Sequence, residues 1–284
     1  MQVQQVLLNL LTFFSPLLLT AQEAFVIQGQ VMNQDNTSPL AYVNIGIVGT
    51  ATGTISDENG NFQLYFKSDT DEEKIVRFSY LGYKSKDYTI TSLRLINGQS
   101  IALESTAIDL QTVEVRPDLT TNKTIGHRKE TTSRSTNFAI SKKPGQNLGA
   151  AIGRRFNIGK KTSQLETFSF YVGANNFDTI KFRLKIYNIK KGRPHQLVHH
   201  QDMITTLVKH QKGWAKIDLL PYQLFVNEDV VAAIEWIDHS KKGNVLQLPI
   251  TLPAFGTHFY KYGSQDKWKR FRGMSTAMTL RVRQ

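Results

Sequence analysis

The pattern that most narrows the fold is strict alternation. Ile180, Phe182, Leu184 and Ile186 point one way while Lys181, Arg183, Lys185 and Tyr187 point the other. A period of two is the pleat of a strand with one buried face. The same rhythm returns in Ile27, Gly29 and Val31, in Phe62, Leu64 and Phe66, and in Phe168, Phe170 and Val172. Turn residues separate the runs: Asp35-Asn36, Ser38-Pro39 and Asn59-Gly60, the last a strong hairpin signal because both residues tolerate positive φ. No helical periodicity is evident. An all-β chain is expected, and 284 residues suffice for two domains, each with its own core.

Charge divides the chain in the same place as pattern does. Residues 25–115 hold 6 Lys and Arg against 11 Asp and Glu, whereas residues 116–284 hold 29 against 11. An acidic front and a basic rear imply two domains, the second either simply well solvated or suited to an anionic partner. There is no cysteine, which excludes disulfides, thiolate metal ligands and a thiol nucleophile.

Four segments follow. Residues 1–21 read as a secretory signal peptide: Val6 to Leu19 is almost wholly apolar and ends at Thr20-Ala21-Gln22, although Met1 to Gln5 lacks the usual positive charge. Residues 22–116 read as a sandwich of about seven short strands, with Ile108 to Val115 the last and Arg116-Pro117 ending it. Residues 117–137 are polar, basic and aperiodic, the signature of a linker. Residues 138–284 carry eight or more candidate strands, among them Trp214 to Leu219, Val230 to Ile237, Val245 to Ile250, His258 to Tyr262 and Thr276 to Val282. A second β-sandwich, jelly-roll-like, is expected there.

Within the first segment a set of short motifs recurs together: Gly29-x-Val31, Pro39-Leu40, Val43-x-Ile45, Gly49-Thr50, Gly53-Thr54-x-Ser56-Asp57, Gly60-x-Phe62-x-Leu64 and Phe78-Ser79-Tyr80-Leu81-Gly82-Tyr83. This set resembles the carboxypeptidase-regulatory-like domain over about residues 25–115. The resemblance implies a transthyretin-like seven-stranded sandwich acting as an accessory module, not a catalyst. It also implies an exported protein of the Bacteroidetes type, since the family is common there and stands at the front of many TonB-dependent outer-membrane receptors. Such receptors continue into a large membrane barrel of about 22 strands, which the remaining residues are too few to form.

Three groups of residues could carry function. Lys181, Arg183 and Lys185 share one strand face, and Arg281 shares another with Arg283; together they would form a basic platform for an anionic polymer or a solvated stripe. Trp214, Trp268, Tyr260 and Tyr262 could offer rings to sugar faces, or cap a core, while Trp236 lies in register with Val230, Ala232 and Ile234 and reads as core. His195, His199, His200 and His210 lack a matching carboxylate, and adjacent strand histidines face opposite ways, so no metal is expected. His127-Arg128-Lys129-Glu130 repeats a zinc-binding string, but in a connector; Asp57 to Asn61 resembles part of a calcium loop, but a tight turn explains it. No nucleophile elbow, phosphate loop or carboxylate pair with hydrolytic spacing is present.

These readings converge on a non-catalytic binding or accessory protein of the cell envelope, periplasmic or surface-exposed, without cofactor or transmembrane span. Its basic second sandwich would bind an acidic glycan, lipopolysaccharide or another anionic envelope component. Nucleic acid fits the charge but not the compartment, and no base-stacking pattern is present. The alternatives are a docking partner of an outer-membrane receptor, contacting protein and not sugar, and a hydrolase whose site is hidden.

Overall fold

The computed structural model describes residues 24–67, 69–106, 119–139, 147–199 and 201–284. The expected signal segment, the strand expected at Ile108 to Val115, and His200 lie outside the described residues.

The first unit contains β1 (Phe25–Asn33), β2 (Asn44–Ile47), β3 (Gly53–Ile55), β4 (Asn61–Phe66), β5 (Ile75–Ser79), β6 (Lys86–Thr89), α1 (Ile90–Leu95) and β7 (Ser100–Leu103). Its two sheets run β4-β1-β7 and β3-β2-β5-β6. The alternation in β4 is literal: Phe62, Leu64 and Phe66 are buried while Asn61, Gln63 and Tyr65 are exposed. They join Ile27, Val31, Val43, Ile45, Val76 and Phe78 in one core, where each large apolar side chain contributes about 1.5–3 kcal/mol. Asp57 closes the turn before β4, its Oδ1 accepting from the Asn59 and Asn61 amides at 2.9 and 2.8 Å. Gly60 completes that turn at φ 76°, and a Cβ there would lie 2.5 Å from the Val31 carbonyl oxygen. The short helix α1 was not expected from periodicity; Thr89 caps it by accepting from the Ser92 amide at 3.1 Å, and Ile90 and Leu93 anchor it in the core.

The second unit opens with β8 (Asn122–His127) and β9 (Arg134–Asn137), followed by β10 (Ala151–Phe156), β11 (Ser163–Val172) and β12 (Ala174–Asn175). Next come β13 (Thr179–Lys190), β14 (Arg193–Leu197), β15 (Met203–Val208), β16 (Gly213–Asp218) and β17 (Phe225–Val226). The last six are β18 (Val230–His239), β19 (Leu246–Thr251), β20 (Thr257–Lys261), β21 (Lys269–Arg272), β22 (Ser275–Thr276) and β23 (Met278–Arg283). One layer is the sheet β14-β13-β18-β10-β20-β21, with β15 on β13. The other combines β16-β11-β23-β8, carrying β17, with β12-β19-β22, carrying β9. The chain passes repeatedly between layers, the wrapping expected of a jelly-roll-like sandwich. Trp236, Phe138, Phe168, Phe170, Phe182 and Leu280 lie in the core between them.

One expectation is corrected. The segment read as a linker contains β8, paired along its length with β23, and β9, paired with β19. Both are sheet margins with mostly exposed side chains, so neither shows an alternating apolar face. Tyr42, Asn44 and Gly46, opposite the core-facing Val43 and Ile45, meet the second unit: Tyr42 and Asn44 are buried, and a Cβ on Gly46 would lie 2.8 Å from Ser264 Oγ. Among the described residues, no helix is long and apolar enough to cross a membrane.

Candidate functional site

The basic strand face is largely shielded from solvent. Lys181, Arg183 and Lys185 project from the outer side of β13, and the first unit covers them. Arg183 is 2% exposed. Its Nη2 donates to the Tyr42 carbonyl at 2.8 Å, its Nη1 lies 3.4 Å from Glu235 Oε2, and its Nε lies 3.0 Å from Asp202 Oδ1. The guanidinium also sits over the Tyr80 ring, 5.5 Å from its centroid, while the Tyr80 hydroxyl donates to Asp202 at 2.9 Å. Lys185 reaches Glu235 at 2.7 Å. The Asn44 amide, in the orientation that satisfies both ends, bridges that pair at 3.1 Å on each side. Lys181 donates to the Tyr42 hydroxyl at 2.7 Å and bonds to Glu58.

These contacts set the charges. Burial alone would raise the Glu235 carboxyl, but Lys185 and Arg183 outweigh it and hold the group below its ordinary range. Burial pushes the Lys185 ammonium down, opposed by Glu235, and brings Lys261 to about 8, with Lys185 acting in the same direction. The cluster is a polar weld between domains. The expected anion platform is corrected: three of its residues are already engaged within the chain, by Glu235, Asp202 and Asp238 of the second unit and by Glu58 of the first.

A turn from the second unit completes the junction. Ser264 Oγ donates to the Ile45 carbonyl at 2.6 Å, Gly49 N–H donates to the Gln265 carbonyl at 2.9 Å, and Gln265 Nε2 donates to Ser79 Oγ at 2.8 Å. Gly53 permits this approach, since a Cβ there would lie 2.5 Å from Ser264 Oγ.

The remaining candidates separate. Arg281 is held by Glu166 at 2.9 Å, in the opposite layer. Trp214 stands edge-on to Tyr171 and donates to Glu130 at 2.7 Å, far from the other rings in the sheet order. Tyr260 is buried and donates to the Asn137 carbonyl at 2.8 Å, which removes it as a stacking platform. Tyr262 and Trp268 flank the β20–β21 turn but contact different rings. Tyr262 lies 4.4 Å from Tyr260 by ring centroids and carries Lys269 Nζ at 4.3 Å, while Trp268 packs edge-on against Tyr187 and Phe259.

Around them lies a group that sequence reasoning underrated. Lys267, Lys269, Arg270 and Arg272 cluster at β21, and no carboxylate among the described residues pairs with any of them. A cleft of about 490 Å³ opens beside β21, lined by Tyr262, Asp266, Lys267 and Lys269 from the second unit and Gly49, Thr50 and Ala51 from the first. The signal was the run Lys-Trp-Lys-Arg-Phe-Arg at 267–272; the contribution of the first unit carried no signal at all.

Other candidates are engaged in structure. His127 Nε2 lies 2.7 Å from Thr251 Oγ1, whereas Glu130 accepts from Trp214. His199 is buried, with Nε2 accepting from the Ile186 amide at 3.1 Å. His210 meets Asp178 at 2.9 Å, and His195 is exposed. Among the described residues, no group of three or more His, Asp or Glu is placed to hold a metal ion.

The fold is thus a pair of β-sandwiches fused through a buried ionic cluster. Residues 27–115 match the model of the CarboxypepD_reg-like domain, and the first unit is a domain of that family. A search of curated proteins gave no match. Among solved structures, the clostridial cysteine protease Cwp84 after propeptide cleavage is similar at TM-score 0.40 and 7% identity, covering 89% of this chain and 61% of that one. The cysteine protease and lectin-like domains of Cwp84, a surface-layer-associated protein of Clostridium difficile, give TM-score 0.41 and 8% identity, with 93% and 59% coverage. The chain therefore spans about three-fifths of the length of these two solved chains. Likeness at this level carries no argument about activity.

Proposed function

We propose that this is a non-catalytic accessory binding protein of the cell envelope, whose second sandwich binds a glycan or another anionic envelope component at the domain junction. The observation that carries the reading is the cleft in which unpaired Lys267 and Lys269 stand beside Tyr262. Cations without carboxylate partners attract a polyanion, and aromatic rings suit the apolar faces of sugars. The first sandwich then acts as an accessory module that supplies one wall. Affinity electrophoresis at low salt against an acidic and a neutral polysaccharide tests it. The protein should be retarded by the acidic polymer, and Lys267→Glu/Lys269→Glu should weaken that retardation about tenfold. Equal mobility of parent and variant would overturn the reading.

A second reading has its own support. β21 is the last strand of its sheet, so its outer edge is open to strand addition by a protein partner. A docking role predicts co-purification with an outer-membrane protein that survives high salt and ignores glycans.

A further inference from the structure

Buried polar side-chain atoms without a partner are concentrated in one place. Leaving aside the Arg183–Asp202 pair, those among the described residues are Arg154 Nε and Nη1, His258 Nδ1, Ser275 Oγ and Thr276 Oγ1. Arg154 and His258 stand directly opposite each other on β10 and β20. Arg154 lies between Ile152 and Phe156, both core residues, so it projects toward the interior of the sandwich. Ser275 is adjacent, because a Cβ on Gly256 would lie 2.5 Å from its Oγ and 3.1 Å from Arg154 Nη1.

Arg154 is 7% exposed and no carboxylate among the described residues pairs with it. Asp229 lines the same space, but its carboxylate is taken by Arg155 at 2.7 Å and by the amides of Ile158 and Gly159 at 3.0 and 3.1 Å. Burial pulls the Arg154 guanidinium down only to about 10, so it stays charged at neutral pH. A cation held this way is costly unless something completes it. It borders a cavity of about 730 Å³, also lined by Thr124, Asn157, Thr257 and the fully exposed ring of Phe255.

We propose that this cavity binds a sugar-sized ligand carrying an oxyanion group, with Arg154 as the partner of the carboxylate or phosphate and Phe255 covering the ring. A guanidinium offers a planar fork that matches either anion. The volume suits a monosaccharide or disaccharide unit. The site shares no lining residue with the junction cleft, so it stands or falls separately from the reading above.

Calorimetric titration of the whole chain, at matched ionic strength, tests it with glucuronate, glucose 6-phosphate, sulfate and glucose. The oxyanion sugars should bind saturably and glucose should not; whichever of the two sugars binds tighter identifies the anion. Arg154→Met should weaken binding about tenfold or more, and Arg154→Lys, which keeps the charge but not the fork, should fall between. Phe255→Ala should weaken the sugars several-fold and leave sulfate unchanged. In the Lys267→Glu/Lys269→Glu background Arg154→Met should still weaken the oxyanion sugars about tenfold or more, which separates this site from the cleft. No saturation by either oxyanion sugar, or parental affinity in Arg154→Met, would overturn the proposal.

Discussion

Two buried arginines on one sheet have opposite surroundings. Arg183, on the outer face of β13, is met by Glu235, Asp202, the Tyr42 carbonyl and the Tyr80 ring. Arg154, on the inner face of β10, is met by the Phe156 ring at 5.8 Å, a neutral histidine and hydroxyls that have no partners of their own, and by no carboxylate among the described residues. Both charges have left water. The first is compensated by carboxylates of its own sandwich and capped by the neighbouring domain, and is structural, while the second has no carboxylate partner among the described residues. Burial alone therefore does not tell a weld from a binding group; the inventory of partners does.

The contrast can be broken from either side. Glu235→Ala strips Arg183 and Lys185 of their shared partner, and urea denaturation should show a loss of about 3–5 kcal/mol. Arg154→Met removes a charge with no partner to strand, so the same measurement should show no loss or a gain. A loss as large as that of Glu235→Ala would mean that Arg154 is structurally paired after all.

Acid sharpens the difference. Burial, aided by Arg154, holds His258 at about 4, below its ordinary value of 6.5. Above pH 6.5 the imidazole is neutral in both folded and unfolded chains, and its effect is nil. Between 6.5 and 4 only the unfolded chain takes up the proton, so stability falls as the pH drops, by about 3 kcal/mol in all. Denaturation at pH 7, 6, 5 and 4 should show this slope, and His258→Phe should flatten it.

A smaller effect tests the junction itself. Gly53→Ala places a methyl group 2.5 Å from Ser264 Oγ, and overpacking of this kind costs about 1–3 kcal/mol. Ser264→Gly in the same chain should restore much of the loss, as seen in thermal melts of the single and double variants.

Alternation made β4, β11 and β13 legible, because each keeps its large apolar side chains on one face. It could not say what lay beyond the other face. Lys181, Arg183 and Lys185 read identically whether that face meets water or Tyr42, Asn44 and Tyr80. The only hint was the opposed charge of the two halves, a weak signal because surface charge varies freely. β8 and β9 were invisible for a related reason: strands at a sheet margin bury too little to impose a period. Helix α1 is too short to show one. Tyr262 and Trp268 were legible as an aromatic-cationic run, but Arg154 was not, since only the register with His258, more than a hundred residues away, reveals its isolation.

The Ser264–Ile45 bond joins residues 219 positions apart. The first sandwich can complete its own core from residues 25–103 well before that serine has been made, because domains fold as units in chain order. Until then its docking face, with Ile55 beside Tyr42, Asn44, Glu58 and Tyr80, stands open to water. An apolar face in that position would be an aggregation hazard for as long as the rest of the chain took to arrive. A face that is mostly polar, with Ile55 meeting Ile237 and Glu58 meeting Lys181 only later, presents little to such association, so the mixed weld suits the order of manufacture as much as the finished product.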